Sequence, residues 1–301
     1  MQNAIRQLLN SRDLAHLRNL TIGSRFTVEG NLQGMHRSPN RGFSVEFADY
    51  RQYVSGDDLK HLDWKVYARN ERLYVRQYEE ERNLRVYLLV DGSRSMAFRG
   101  EGMSKYDFAC RLAAALAYVT MQQHDSVGFT LFDTERICEL PARPGRRQLR
   151  IIAEKLLQHE PARPTSLADT LHRLAEHLQR RAVIAIISDL FDDLPAVDKA
   201  LSHFRRRHHD VMVYHVLDPV EIEFPFVGAG TFEDMESGAR VTAEPREIRH
   251  AYQQAVGDFL RQCRAICANL DIDYCLASGE SSASRLASRH LARRDGRARF
   301  R

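Results

Sequence analysis

Apolar runs of strand length alternate with helical patterns in the chain from residue 85 onward. The strand candidates lie at residues 86–90, 127–132, 182–187, 211–216 and 274–277. Helical patterns lie at 106–123, 148–159, 167–179 and 197–207, and a long amphipathic pattern covers 246–269. Strands of a parallel sheet are continuously apolar because helices cover both faces of the sheet. The alternation therefore predicts an α/β fold, with a mostly parallel sheet sandwiched by helices.

The first 81 residues have a different pattern. A helical stretch at 5–17 is followed by short alternating runs at 25–30, 42–47 and 73–78. An apolar/polar alternation of period two is typical of half-buried strands. We therefore predict three regions: an N-terminal helix and β-rich extension (1–81), the α/β domain (82–280) and a basic C-terminal helix or tail (281–301). A hairpin is predicted inside the α/β domain at 230–242.

Composition narrows the class of protein. The chain has 301 residues, 44% hydrophobic and 28% charged, which is typical of a folded protein and excludes disorder as the overall class. The net charge is +4, but residues 285–301 hold seven arginines and one aspartate. The excess of positive over negative side chains therefore lies at the C-terminal end of the sequence. It does not indicate a nucleic-acid-binding groove on a folded face.

Cysteine usage and hydropathy bear on the compartment. The five cysteines include no Cys-x-x-Cys pair, which favours a reducing environment. The first ten residues lack the apolar core of a signal peptide, and the longest strongly apolar stretch, 112–121, is shorter than the roughly 20 residues of a membrane span. We expect a cytoplasmic protein without membrane attachment.

Oxygen-bearing side chains follow two of the predicted strands. Asp91, Ser93 and Ser95 come directly after the first strand, and Asp189 follows the strand at 182–187. Ligands of open α/β sheets bind at the carboxyl ends of the strands. The loop at 161–166, which precedes a helix, offers a further hydroxyl from Thr165. Carboxylate and hydroxyl oxygens suit Mg²⁺ or Mn²⁺ rather than zinc.

A purely structural interpretation of the hydroxyls stays open. Ser93 and Ser95 could satisfy backbone groups in a turn, and Thr165 or Ser166 could cap the helix that follows, with Ser166-x-x-Asp169 as an approximate capping box. The two aspartates are harder to explain in this way. Two carboxylates at the ends of buried strands are costly unless a positive charge neutralises them.

These motifs resemble a known family. The pattern Asp91-x-Ser93-x-Ser95, with a Thr near 165 and Asp189, is similar to the metal-ion-dependent adhesion site of von Willebrand factor A domains. The upstream residues resemble domain-of-unknown-function family fifty-eight. They read Arg37-Ser-Pro-Asn-Arg-Gly42, Glu46-Phe-Ala-Asp-Tyr-Arg51-Gln-Tyr53, Gly56-Asp-Asp, Leu62-Asp63-Trp64, Ala68-Arg69 and Val75-Arg-Gln-Tyr78-Glu. The resemblance covers residues 25 to 300.

The resemblance implies a von Willebrand factor A-like (Rossmann-like) fold and a metal site. Asp91, Ser93, Ser95, Thr165 and Asp189 would hold Mg²⁺ or Mn²⁺, and an Asp or Glu of a protein partner would fill the open position. It also implies an adaptor or co-chaperone that works with a MoxR-type AAA+ ATPase. The sequence departs from the pattern where Arg163-Pro164 replaces Gly-Gly, so that Thr165 and Ser166 compete for one ligand position. It departs again where Leu190 replaces a common Gly.

An enzymatic alternative uses the same oxygens. A metal-dependent phosphoester hydrolase would need a positioned general base or a second metal ion, and the sequence offers neither clearly. The chain has no Gly-x-x-x-x-Gly-Lys-Ser/Thr phosphate loop and no Gly-x-Ser-x-Gly nucleophile motif. We therefore expect a binding module with no catalytic residues.

Overall fold

The computed structural model describes residues 3–24, 45–54, 62–70, 72–80, 84–134, 136–164, 166–178, 180–235, 238–279 and 282–298. The described residues fall into two compact units, one from 1–27 and 84–301 and one from 28–83. The first unit begins with α1 (Asn3–Leu8) and α2 (Ser11–Leu17). The second contains the antiparallel pair β1 (Val45–Gln52) and β2 (Tyr74–Glu80), with α3 (Trp64–Asn70) between them in sequence.

The N-terminal helices differ from the sequence prediction in two ways. One helix was expected over 5–17, but Asn10 ends that pattern because its side chain caps α2 by accepting the backbone N–H groups of Arg12 and Asp13. The helices were also expected to belong to the extension. Leu8 and Leu17 are instead buried in the core of the larger unit, so apolar burial joins this segment to the α/β domain.

The larger unit is built on a six-stranded sheet. Its first five strands in sequence are β3 (Arg85–Asp91), β4 (Ser126–Phe132), β5 (Arg136–Arg143), β6 (Val183–Ser188) and β7 (Asp210–Val216). The hairpin β8 (Gly230–Glu233) and β9 (Arg240–Ala243) lies outside the sheet, and β10 (Asp273–Ala277) completes it. The strand order is β10–β7–β6–β3–β4–β5, and all neighbours are parallel except β4 and β5.

Helices cover both faces of this sheet. They are α4 (Lys105–Gln122), α5 (Arg146–Gln158), α6 (Leu167–His177), α7 (Leu194–Arg206), α8 (Pro219–Glu223), α9 (Pro245–Asn269) and α10 (Ala283–Ala298). One core contains apolar residues of α4, α5 and α10, and a second contains those of α6, α7 and α9. The mostly parallel α/β sandwich predicted from the sequence is therefore confirmed.

The C-terminal helix α10 is part of the core of the larger unit, whereas residues 281–301 were predicted to form a separate basic helix or tail. Its apolar face, which includes Leu286 and Leu291, is buried. Its Arg294 is also buried and forms ion pairs with Asp210 and Asp273, and its guanidinium donates to the Gly23 carbonyl at 3.0 Å. Part of the positive charge in this segment is thus neutralised inside the fold.

None of the helices in the described part of the chain is long and apolar enough to span a bilayer.

Candidate metal centre

Two buried aspartates define the candidate site. Asp91 is the last residue of β3, and Asp189 follows Ser188, the last residue of β6. The two strands are parallel neighbours with Val90 beside Ile187, so both carboxylates arrive at the same edge of the sheet. Neither residue has any solvent exposure. The structure therefore brings together the two residues on which the sequence prediction depends.

The Asp91 carboxylate is held by hydrogen bonds, and no lysine or arginine among the described residues forms an ion pair with it. Its Oδ1 accepts the Ser93 N–H at 2.9 Å, and its Oδ2 accepts the Ser188 hydroxyl at 2.6 Å. Burial, followed by the negative charge of Asp189, raises the pKa of Asp91 to about 7, although these hydrogen bonds lower it. Ionised Asp91 is thus electrostatically under-compensated, which is the condition that a bound cation relieves.

The two predicted serine hydroxyls lie beside each other. Ser93 Oγ and Ser95 Oγ are 3.1 Å apart, and both residues are buried. A short 3₁₀ helix (Arg94–Ala97) starts directly after Ser93, but the Ser93 side chain makes no capping hydrogen bond to it. The Ser93 side chain therefore does not cap this short helix. The Arg94 N–H donates to the Arg163 carbonyl at 2.6 Å, which joins this loop to the one before α6.

The third part of the predicted ligand set is only partly described. Thr165 lies outside the described residues. Ser166 directly precedes α6, and its hydroxyl donates to the Asp169 carboxylate at 3.0 Å rather than capping the helix backbone. The capping box expected from Ser166-x-x-Asp169 is therefore not formed, because the two side chains bond to each other and not to the helix backbone. The competition between Thr165 and Ser166 for a ligand position remains a prediction.

Lys105 is a site residue that the sequence analysis missed. It is the first residue of α4, is only 2% exposed, and places its Nζ 2.8 Å from Asp189 Oδ2 and 2.7 Å from Glu221 Oε1. Burial, the largest single influence, lowers the pKa of Lys105, but the two carboxylates together raise it above its ordinary value. A lysine at the first position of an otherwise apolar helix is the sequence signal, since cations are unfavourable at helix N-termini.

The charge balance of this cluster suits a divalent cation. When all groups are ionised, the carboxylates of Asp91, Asp189 and Glu221 face one ammonium, that of Lys105, which leaves a net charge of −2. Among the described residues, no three His, Cys, Asp or Glu side chains converge to hold a metal. An ion here would depend on two carboxylates, hydroxyls and water, and Mg²⁺ is usually bound by one or two carboxylates with several waters. The donor set therefore fits Mg²⁺ by charge and by ligand type.

The loop after β6 tolerates leucine at position 190, where the family pattern often has glycine. Its φ is +57°, in the left-handed region where glycine is favoured, and its side chain is buried. The Leu190 N–H donates to Ser188 Oγ at 3.0 Å, and that hydroxyl in turn donates to Asp91. The loop thus keeps a conformation that glycine would adopt easily, and burial of the leucine side chain offsets the backbone strain.

Gly92 is required by close packing behind the site. A Cβ at this position would lie 2.5 Å from His159 Nε2, and the same ring nitrogen lies 2.9 Å from the Gly92 carbonyl oxygen. The Gly92 N–H donates to the Phe132 carbonyl on β4 at 2.7 Å. The backbone between Asp91 and Ser93 is therefore fixed on both sides, which orients the two predicted ligands.

Comparisons with known proteins assign the family. The family model described as "Protein of unknown function DUF58" matches residues 49–259. The uncharacterized proteins Rv1480 of Mycobacterium tuberculosis and Mb1516 of Mycobacterium bovis are each 32% identical over 229 residues, which cover 74% of this chain and 71% of the relative. The chain therefore belongs to this family, as the motifs indicated.

The chain is also similar to proteins of solved structure. The conserved hypothetical protein BatB from Bacteroides thetaiotaomicron is 17% identical with a TM-score of 0.49, over 71% of this chain and 99% of that one. The SpRpn10 VWA domain is 9% identical with a TM-score of 0.40, over 68% of this chain and 93% of that one.

Proposed function

We propose that the protein is a Mg²⁺-dependent protein-interaction module that acts as an adaptor or co-chaperone for a MoxR-type AAA+ ATPase. The observation that supports this proposal is the pair of fully buried carboxylates, Asp91 and Asp189, beside the paired hydroxyls of Ser93 and Ser95. The proposal of a MoxR-type ATPase as the partner comes from the family resemblance. Mn²⁺ could replace Mg²⁺ at the site because it takes the same oxygen ligands.

Each residue has a distinct part in the proposed site. Asp91 and Asp189 supply negative charge, while Ser93, Ser95 and Thr165 supply neutral oxygens. When bound, the ion supplies a positive centre for a carboxylate of the partner. Lys105 neutralises one of the two aspartates through its 2.8 Å contact with Asp189. The cluster's net charge of −2 balances a divalent ion without exceeding it, so an Asp or Glu from outside would take a coordination position that is otherwise filled by water.

A calorimetric titration with MgCl₂ tests the metal site in isolation. We expect one ion per chain, with binding abolished in Asp91→Asn and Asp189→Asn because each variant removes a charged ligand. Asp258→Asn is the matched control, since Asp258 lies on α9 and its side chain is exposed. Absence of heat in the wild-type protein, or equal binding by the control and the two site variants, would contradict the proposal.

Capture of partners from native extract tests the interaction. The tagged wild-type protein in Mg²⁺ should retain an AAA+ ATPase, and the Asp91→Asn variant in the same buffer should not. Comparison of variants in constant Mg²⁺ is sharper than chelation, because an ATPase has its own need for magnesium. Equal recovery of the ATPase with both proteins would count against a metal-dependent contact.

A further inference from the structure

An apolar cleft opens beside the candidate metal centre. It has a volume of about 470 Å³, within the range of ligand-binding pockets, and Ser95 of the proposed ligand set forms part of its wall. Most of the lining is apolar. The aromatic residues of the wall are Phe98, Phe191, Phe224, Phe226, Phe232 and Tyr252. A group bound at the metal centre would therefore have a large apolar surface directly next to it.

Phe224 forms the base of this cleft under backbone strain. It ends α8 with a φ of +49°, which is unfavourable for a bulky residue, yet it is buried. Its ring lies 4.4 Å from that of Tyr252 and 5.2 Å from that of Phe232, measured between centroids, and its carbonyl accepts the Arg249 Nε–H at 3.2 Å. Strained residues that are held firmly by their surroundings cluster at binding sites.

The outer part of the cleft exposes apolar side chains to solvent. Phe226 is 38% exposed, Phe191 is exposed to the same extent, and Val241 on β9 is more exposed than either. Val227, next to Phe226 in sequence, is also exposed. A contiguous exposed apolar patch with a polar rim marks an interaction surface.

The charges of the wall favour an uncharged side chain inside the cleft, because the described lining residues include Glu221, Glu233 and Asp234 but no lysine or arginine. Both glutamates of the wall already have cationic partners: Glu221 contacts Lys105, and Glu233 contacts Arg240 at 2.9 Å and Arg94 at 3.9 Å. The guanidinium groups of Arg94 and Arg240 remain well exposed at the rim. An apolar side chain therefore suits the cleft, whereas a carboxylate of the same partner would bind at the metal centre beside it.

We propose that this cleft binds a bulky apolar side chain, aromatic or branched aliphatic, that lies within a few residues of the carboxylate recognised at the metal centre. The partner segment is thus a short acidic–apolar peptide rather than an isolated Asp or Glu. The inference rests on the proposed function, because the carboxylate half of the recognition uses the metal. The partner's apolar side chain would contact Phe226, Val241 and their neighbours. This second contact would give the specificity that recognition of a lone carboxylate lacks.

Amide chemical-shift titrations of the whole chain with synthetic peptides in saturating Mg²⁺ test this inference. Four hexapeptides of Gly and Ser each carry one Glu and one Phe, separated by zero to three residues; a second set replaces Phe with Ser, and a third replaces Glu with Gln. The protein variants are Phe226→Ser and Val241→Ser. Leu157→Ser is the matched control, because Leu157 is 42% exposed and lies on α5, away from the lining of the cleft.

We expect the tightest Glu–Phe peptide to lose at least tenfold in affinity when its Phe becomes Ser, and equally when the protein carries Phe226→Ser. Tenfold corresponds to about 1.4 kcal/mol, within the range for burial of one aromatic side chain. The control variant should bind like the wild type. Equal affinity for the Phe and Ser peptides, an equal loss in Leu157→Ser, or no binding of any peptide to the magnesium-loaded protein would overturn the inference.

A magnesium titration without peptide separates the two proposals. If the ion does not bind, the proposed function fails, and the recognition of the partner's carboxylate at the metal centre fails with it. If the ion binds at Asp91 while the peptides are not distinguished by their apolar residue, only the cleft inference fails.

Discussion

Replacement of Lys105 by methionine tests the electrostatic account of the site. The methionine keeps most of the apolar stem but removes the ammonium, which lies within 2.8 Å of Asp189 and of Glu221. Both carboxylates then stay in a buried place without a cation. Loss of one partner from a buried ion pair costs about 3–5 kcal/mol, because the remaining charge has neither its partner nor water. Folded domains are stable by only about 5–15 kcal/mol, so the effect should be large.

Urea unfolding followed by circular dichroism measures this change as a lower midpoint at an unchanged slope. Lys155→Met is the control, since Lys155 is an exposed residue of α5, and it should change the unfolding free energy by less than about 0.5 kcal/mol. Adding Glu221→Gln to Lys105→Met should recover part of the loss, because one of the two uncompensated charges is removed. A loss below about 1 kcal/mol for Lys105→Met, or no recovery in the double variant, would refute the reasoning.

Three further substitutions test other parts of the structure. Arg294→Met removes the cation that Asp210 and Asp273 share, and it should cost about 3–5 kcal/mol in urea unfolding; a change near zero would mean that the buried carboxylates are solvated. Burial lowers the pKa of His209, so the unfolded chain binds the extra proton and stability falls as the pH drops below about 6.5. His209→Gln should therefore lose less stability than the wild type between pH 7.5 and pH 5.5, and identical losses would contradict this cause. Gly92→Ala should cost about 1–3 kcal/mol because its Cβ meets the imidazole of His159, and His159→Ala should relieve that cost in a double-mutant cycle.

The elements that carry the site could be predicted because their sequences are unambiguous. The strands β3 and β6 are continuous apolar runs, and each ends in an aspartate or is followed by one. Parallel strands can be recognised from such runs, and their shared carboxyl edge then follows from the fold class. The edge strand β5 was not predicted, since its sequence mixes charged and apolar residues and contains Pro141, which is tolerated at a sheet edge.

The electrostatic partners within the site could not be predicted from the sequence. Lys105 meets Asp189 and Glu221 across 84 and 116 residues of chain, and no local pattern specifies contacts of that range. Glu221 lies on α8, a helix of five residues that has no periodicity to detect. The cleft beside the site could not be predicted for the same reason, since its wall residues are far apart in the sequence. They lie in α8, α9, the β8–β9 hairpin and the loops after β3 and β6.

The contacts between the two ends of the larger unit bear on how the chain folds during synthesis. Asp13 near the N-terminus accepts the Ser284 hydroxyl at 2.6 Å, and Arg294 donates to the Gly23 carbonyl, each across 271 residues. The α2 helix therefore completes its packing only after α10 has left the ribosome, whereas α1 packs against α4 and α5, which are made earlier. Until then part of the apolar face of α2 is uncovered, so the unfinished chain exposes apolar surface during translation.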